Sequence, residues 1–190
     1  MTTESVEVRK IDIHLVWRQV LLANGKPFPW HQRAARYAHD RERLDGPQVY
    51  RWILRDANGA EECSYIGETE AFQNRLSKYR RPNAVRLNTE KRVREEIDNC
   101  ERRGGAIELW FLDLDAGSFS LNGHAINKYS LGESDVRRML ESIATFTERQ
   151  SGRKLLNAIE DNAINRKLLA LLGKITQKQG VEAAMKILNS

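Results

Sequence analysis

The sequence predicts an α+β fold, a small three-stranded antiparallel sheet flanked by helices. Two runs rich in apolar, β-branched and aromatic residues, 49–54 and 63–66, sit on either side of an Asn58-Gly59 turn. A third such run, 107–114, returns only after two amphipathic stretches. The order helix, hairpin, two helices, strand, helices suits a sheet covered by helices.

Along residues 11–22, Ile13, Trp17, Val20 and Leu21 recur at helical spacing, with Asp12 near the start and Gly25 beyond the end, so a helix is expected. Pro27 and Pro29 break it, because each removes a donor and fixes the backbone. The basic segment 31–44 reads as a second helix, and residues 1–45 as a helical N-terminal extension. In the main domain, 46–158, Asn58-Gly59 is a hairpin signal, since both residues tolerate the positive φ of a tight turn. Thr69 reads as an N-cap with Glu70 in the first turn. Phe72, Leu76 and Tyr79 lie at i, i+4 and i+7 and mark a buried face, which sets Arg75 one turn from Tyr79. Pro82 ends this helix. A further helix over 89–103 buries Val93, Ile97 and Cys100 and stops at Gly104-Gly105. Strand 107–114, a polar loop over 116–133 and a helix over 134–149 follow. Helical segments at 162–172 and 181–188 make up a C-terminal extension, 159–190.

Composition narrows the function classes. At 190 residues, 41% hydrophobic and 30% charged, the chain has the make-up of a globular protein with one full core. No apolar run approaches the roughly 18 residues that span a bilayer. The opening MTTESVEVRK lacks the apolar centre of a secretion signal, so a cytoplasmic location is expected. Cys63 and Cys100 are too few for a zinc site or a disulfide framework and read as reduced, partly buried thiols. His31 and His39 have no ligand-spaced partners, His14 and His124 are isolated, and neither a phosphate-binding glycine loop nor a nucleophile elbow is present.

The formal net charge is +5. Between Arg75 and Arg94 stand eight basic residues, Arg75, Lys78, Arg80, Arg81, Arg86, Lys91, Arg92 and Arg94, against a single acid, Glu90. A run that dense, next to the tyrosine hairpin, points to a nucleic-acid backbone as partner. From the residues alone, Tyr50 and Tyr65 are also strand aromatics packing a sheet face, and Arg75 a surface arginine with Glu70 or Glu90 for a partner.

Taken together, Gln48-Val49-Tyr50, Tyr65-Ile66-Gly67 and Asn74-Arg75-Leu76-Ser77-Lys78-Tyr79 resemble the GIY-YIG nuclease superfamily. The first motif is degenerate and the second intact. Tyr79 stands where many members carry histidine and the bacterial excision-repair branch carries tyrosine. Glu141 in Arg137-Arg138-Met139-Leu140-Glu141 matches the family's metal-binding glutamate, and Asn157 in Leu155-Leu156-Asn157 its closing asparagine. Arg153-Lys154 stands where a proline often precedes that asparagine. The match covers residues 46–158.

The resemblance implies catalytic residues Tyr50, Tyr65, Arg75, Tyr79, Glu141 and Asn157. Tyr50 would be the general base, its phenol lowered from about 10 by neighbouring cations. Tyr65 and Tyr79 would hold the water or a phosphate oxygen, and Arg75 would give a forked positive charge to the scissile phosphate. Glu141 would ligate one Mg²⁺ or Mn²⁺ ion, although a helical wheel centred on Val136, Leu140, Ile143 and Phe146 turns it away from the core. Asn157 would organise the site. Lys78, Arg80, Arg81, Arg86, Lys91, Arg92 and Arg94 would track the nucleic-acid backbone.

The expected function is a metal-dependent DNA endonuclease acting by direct water attack, with a restriction or defence role put first and repair and mobile-element roles left open. The expected partner is DNA, bound by a monomer or a homodimer, without a membrane or a small-molecule cofactor. The alternatives are a non-catalytic nucleic-acid-binding module that keeps the fold, and a structural partner protein assembled through its terminal helices.

Overall fold

A computed structural model describes residues 11–30, 44–80, 88–121, 124–125 and 131–157. The element order is β1 (Ile11–His14), β2 (Trp17–Gln19), β3 (Gln48–Arg55), β4 (Glu61–Thr69), α1 (Phe72–Arg80), α2 (Asn88–Arg102), β5 (Ala106–Leu112), β6 (Ser118–Leu121), β7 (His124–Ala125) and α3 (Ser134–Gln150). The main sheet is four-stranded and antiparallel in the order β2-β5-β3-β4, with three helices packed against it.

Strand β3 is buried along nearly its whole length, which requires cover on both faces. Its period of two divides the molecule into layers. Tyr50, Trp52 and Leu54 join Phe72, Leu76 and Tyr79 of α1 and Val93, Ile97 and Cys100 of α2 in one core. Val49 and Ile66 join Val136, Met139, Leu140 and Ile143 of α3 in another. Thus α1 and α2 cover one face and α3 the other. Strand β4 is the outer strand at its end of the main sheet, so groups from both layers meet past its edge.

Several expectations change. The helix over 11–22 is instead β1 and β2. Trp17 packs in the α3 core and Val20 in the α1–α2 core, opposite faces that a three-residue step reaches in a strand and not in a helix. Alternation of Ile11, Ile13, Leu15 and Trp17 with Asp12, His14 and Arg18, broken only at Val16, is the signal that the helical spacing masked. Strand β2 pairs with β5, so the sheet has four strands and not three. The polar loop 116–133 contains β6 and β7, which form a second small sheet with β1. The hairpin turn is wider than expected: residues 56–60 connect β3 to β4, and Asp56 Oδ1 accepts from the Asn58 and Ala60 N–H groups at 2.8 and 2.9 Å. Gly59 supplies the positive φ of 84°.

Helix α2 ends as expected on Gly104, at φ 76°. Cys63 and Cys100 are buried free thiols, and burial pushes Cys63 up to about 11. No helix among the described residues is long and apolar enough to cross a membrane. The expected helices at 31–44, 162–172 and 181–188 lie outside the described residues, apart from Leu44.

Candidate active site

Tyr50 and Tyr65 share the α1 face of the sheet. In the β3–β4 register Tyr65 lies opposite Trp52 and Gly67 opposite Tyr50. The two tyrosine rings are therefore diagonal neighbours, 6.2 Å apart at their centroids. Glycine is required at position 67 because any Cβ there would lie 2.5 Å from Tyr50 Oη and 2.7 Å from Cζ. The intact third residue of Tyr65-Ile66-Gly67 is thus the space into which the Tyr50 phenol fits.

Helix α1 brings its polar groups to the same point. Phe72, Leu76 and Tyr79 are its buried face, and Tyr79 Oη lies 2.7 Å from Tyr50 Oη. Arg75 Nε donates to Tyr50 Oη at 3.1 Å, and the guanidinium lies 5.5 Å from the centroid of the Tyr79 ring. Arg75 Nη1 donates to Glu90 Oε1 in a short ion pair, so of the two expected surface partners Glu90 is the one in contact. The Tyr65 phenol lies against the same Arg75 and Tyr79 groups.

Burial controls the protonation of this cluster. It pushes the Tyr50 phenol well above its ordinary value; the Tyr65 oxygen adds to the rise, and the Arg75 charge and the hydrogen bonds from Tyr79 and Arg75 oppose it. The expectation that nearby cations lower Tyr50 is not met in the unbound protein, because desolvation of a fully buried phenol outweighs one guanidinium. Burial likewise raises Tyr79 and Tyr65; for Tyr65 the Arg75 charge opposes and the Glu141 carboxylate adds to the rise.

All three folded values exceed the unfolded value of about 10, so the folded chain holds protons that the unfolded chain releases. Their contribution to stability is complete below about pH 10 and is lost as pH rises through the folded values. Ultraviolet titration should show three of the five tyrosines resisting ionisation until the chain unfolds. A single transition of all five near pH 10 would contradict this.

Helix α3 carries Glu141, whose charge is felt at Tyr65. Its side chain is half-buried, not turned away as the apolar wheel predicted, and its carboxylate acts on Tyr65. The buried face of α3 is broad and includes Arg137, Ser142, Thr145 and Glu148 beside the apolar residues. One turn before Glu141, the buried Arg137 donates to Glu68 Oε2 at 2.9 Å and to the Leu131 and Gly132 carbonyls at 2.6 and 3.0 Å. Glu68, Glu70, Asn74, Arg75, Lys78 and Arg137 line a cleft of about 540 Å³ where the two layers meet.

Asn157 is buried and grips the middle of the second motif. Its Oδ1 accepts from Ile66 N–H at 2.9 Å and its Nδ2 donates to the Ile66 carbonyl at 2.7 Å. Arg149 of α3 donates to the Asn157 carbonyl at 2.8 Å. Beside it, Ser64 N–H donates to the Lys154 carbonyl and Leu156 N–H to the Ser64 carbonyl, at 2.9 and 2.8 Å. Asn157 therefore holds β4 in place without joining the phenol cluster.

The expected nucleic-acid-binding residues divide. Lys78 is exposed and lines the cleft with Arg75. Lys91 pairs with Glu95 at 3.7 Å. Arg80 donates through two nitrogens to the Trp30 carbonyl at 3.0 and 2.8 Å. Arg92 donates to the Leu156 carbonyl, and Arg94 to the Arg80 carbonyl at 3.3 Å and to Asp98 at 3.4 Å. Arg81 and Arg86 lie outside the described residues.

No group of three or more His, Cys, Asp or Glu gathers among the described residues. The carboxylates near the cleft are Glu68, which pairs with Arg137, and Glu70 on its wall, with Glu141 one turn beyond Arg137 on α3. One or two carboxylates completed by water and phosphate oxygens is an ordinary Mg²⁺ donor set, so these residues fit that ion. Sequence reasoning gave Glu90 only as a surface partner for Arg75 and gave Arg137 and Glu68 no role. Glu90 carried a signal as the single acid in the basic run, and Arg137 as the residue one turn before Glu141.

The chain matches no protein-family model, no curated protein and no solved structure.

Proposed function

We propose that the protein is a metal-dependent phosphodiester hydrolase of the GIY-YIG type acting on DNA. The observation that carries this reading is the convergence of Tyr50, Tyr65, Arg75 and Tyr79 in one cluster, with the charge of Glu141 acting on Tyr65. Those five residues come from two strands and two helices, and Arg75 carries the cluster to the wall of a cleft of about 540 Å³, where Lys78 and Arg137 add positive charge beside Glu68 and Glu70.

In this reading Arg75 directs its forked charge at the scissile phosphate from the cleft wall. Tyr65, the phenol beside Glu141, orients the attacking water. Tyr50 and Tyr79 form the interior of the same hydrogen-bond network, with Tyr50 accepting from Arg75 Nε; either phenol would take the proton of the water only after first releasing its own. Glu141 would hold the Mg²⁺ or Mn²⁺ ion, with Glu68 the nearest second carboxylate. When bound, the ion would neutralise phosphate charge and stabilise the departing oxygen. Asn157 keeps Tyr65 and Gly67 in register.

The second reading, a DNA-binding module without chemistry, draws on the full burial and protonation of Tyr50. Supercoiled plasmid separates the two. Nicking in Mg²⁺ or Mn²⁺ that stops with EDTA is the expected result, and tight plasmid binding with no nicking in either ion would leave the second reading.

A further inference from the structure

Glu90 is a buried carboxylate to which the reaction above gives no role. It lies in the first turn of α2, is 4% exposed and bonds directly to Arg75. A solvated surface pair would be worth little, but this carboxylate has almost no water to turn to. It fixes one edge of the guanidinium while Tyr50 Oη fixes Nε, so the two together set the plane in which Arg75 meets the cleft. It also sets a negative charge against Arg75 before any ligand arrives.

We propose, resting on the nuclease reading, that Glu90 is the positioning residue for Arg75. Its carboxylate aims the guanidinium and keeps ground-state attraction for phosphate weak. Arg75 is then strongest when extra negative charge develops on the phosphoryl group during cleavage. Interaction withheld from the ground state and expressed in the transition state raises kcat, whereas equal binding of both lowers KM alone. A bare arginine at this position would anchor DNA without accelerating its hydrolysis.

The test uses Glu90→Gln and Glu90→Asp in the full chain, with folding checked by circular dichroism. Duplex DNA binding is measured in EDTA across a salt series, and kcat and KM in Mg²⁺. Glu90→Gln keeps an acceptor but loses the charge. It should bind metal-free duplex about fivefold to tenfold more tightly, with a salt dependence steeper by about one phosphate contact. Its KM should fall, and its kcat should drop by on the order of tenfold to a hundredfold through lost aim. Glu90→Asp keeps the charge on a shorter arm, so metal-free affinity stays at the wild-type value while kcat falls. A purely structural Glu90 would lower affinity and kcat together, or leave both unchanged in Glu90→Gln, and either result overturns the proposal. Failure of the nuclease reading looks different, because the wild type itself would then not cleave.

Discussion

Arg75→Ala protein is expected to leave plasmid supercoiled under conditions in which the wild type nicks it, with turnover reduced at least about a thousandfold. Removing one preorganised donor to a developing oxyanion costs about 10² to 10³ in kcat, and arginines that act on phosphoryl charge are worth about 10³ to 10⁵. Arg75 sits at the upper end because it also holds Tyr50 Oη and Glu90. Its loss leaves a buried carboxylate without its cation, so the variant will also be less stable, and activity must be read on folded protein. Arg75→Lys keeps a charge without the fork and should recover only a small part of the rate. Glu141→Gln supplies a cleaner arm, since its half-buried amide preserves shape while removing the ligand charge. It should lose cleavage with its melting temperature nearly unchanged, and excess Mn²⁺ should restore little. Wild-type nicking that persists in both variants would remove these residues from the chemistry.

Glu148→Ala should lower the melting temperature by about 10 °C, the largest stability effect expected from one polar truncation among the described residues. Glu148 of α3 accepts from Arg51 at 2.5 Å, and both residues are more than nine-tenths buried. The Arg51 guanidinium stands 4.8 Å from the Trp17 ring and 5.7 Å from the Trp110 ring, and its Nε has no hydrogen-bond partner among the described residues. Burial pushes the Arg51 pKa down and Glu148 pulls it back up, so the carboxylate keeps this cation in the interior. Removing one member of a buried pair costs about 3–5 kcal/mol. At about 2–4 °C per kcal/mol for a chain of this size, the loss spans roughly 6–20 °C. The double variant Arg51→Met, Glu148→Leu should recover most of it, because apolar replacement removes the stranded charge as well. A double variant no better than Glu148→Ala would show that packing and not charge sets the loss.

The parts of the fold legible in the sequence are those in which local pattern and tertiary demand agree. Strands β3, β4 and β5 and helices α1, α2 and α3 follow from apolar period, turn glycines and caps, and Tyr50, Tyr65, Arg75 and Tyr79 meet where their spacing placed them. Residues 11–22 misled because Trp17, Val20 and Leu21 fit a helix as well as a strand, and only pairing with β5 and β6 decides. Glu141 misled for another reason: α3 buries Arg137 and Glu148 along with its apolar residues, so its inner face is wider than hydrophobicity marks. The basic run overstated the free charge, since Arg80, Arg92 and Arg94 donate to carbonyls of their own chain. The protonation of the tyrosines has no sequence signature, because it depends on how completely three elements exclude water.

The grip of Asn157 on Ile66 gives the protein an order of assembly. That contact joins residues 91 positions apart, whereas the β3–β4 hairpin joins near neighbours. Loop-closure entropy makes such a distant contact costlier to close than the hairpin, as it does for the β2–β5 pairing and the Arg51–Glu148 pair. During synthesis both tyrosine strands leave the ribosome well before residue 157 does. A nascent chain therefore carries every phenol of the site, and Arg75 with them, while the strand that aligns them is still unsecured at its outer edge. For a protein read as cutting DNA, the last support of the tyrosine strand would then arrive only once residue 157 is free to reach it.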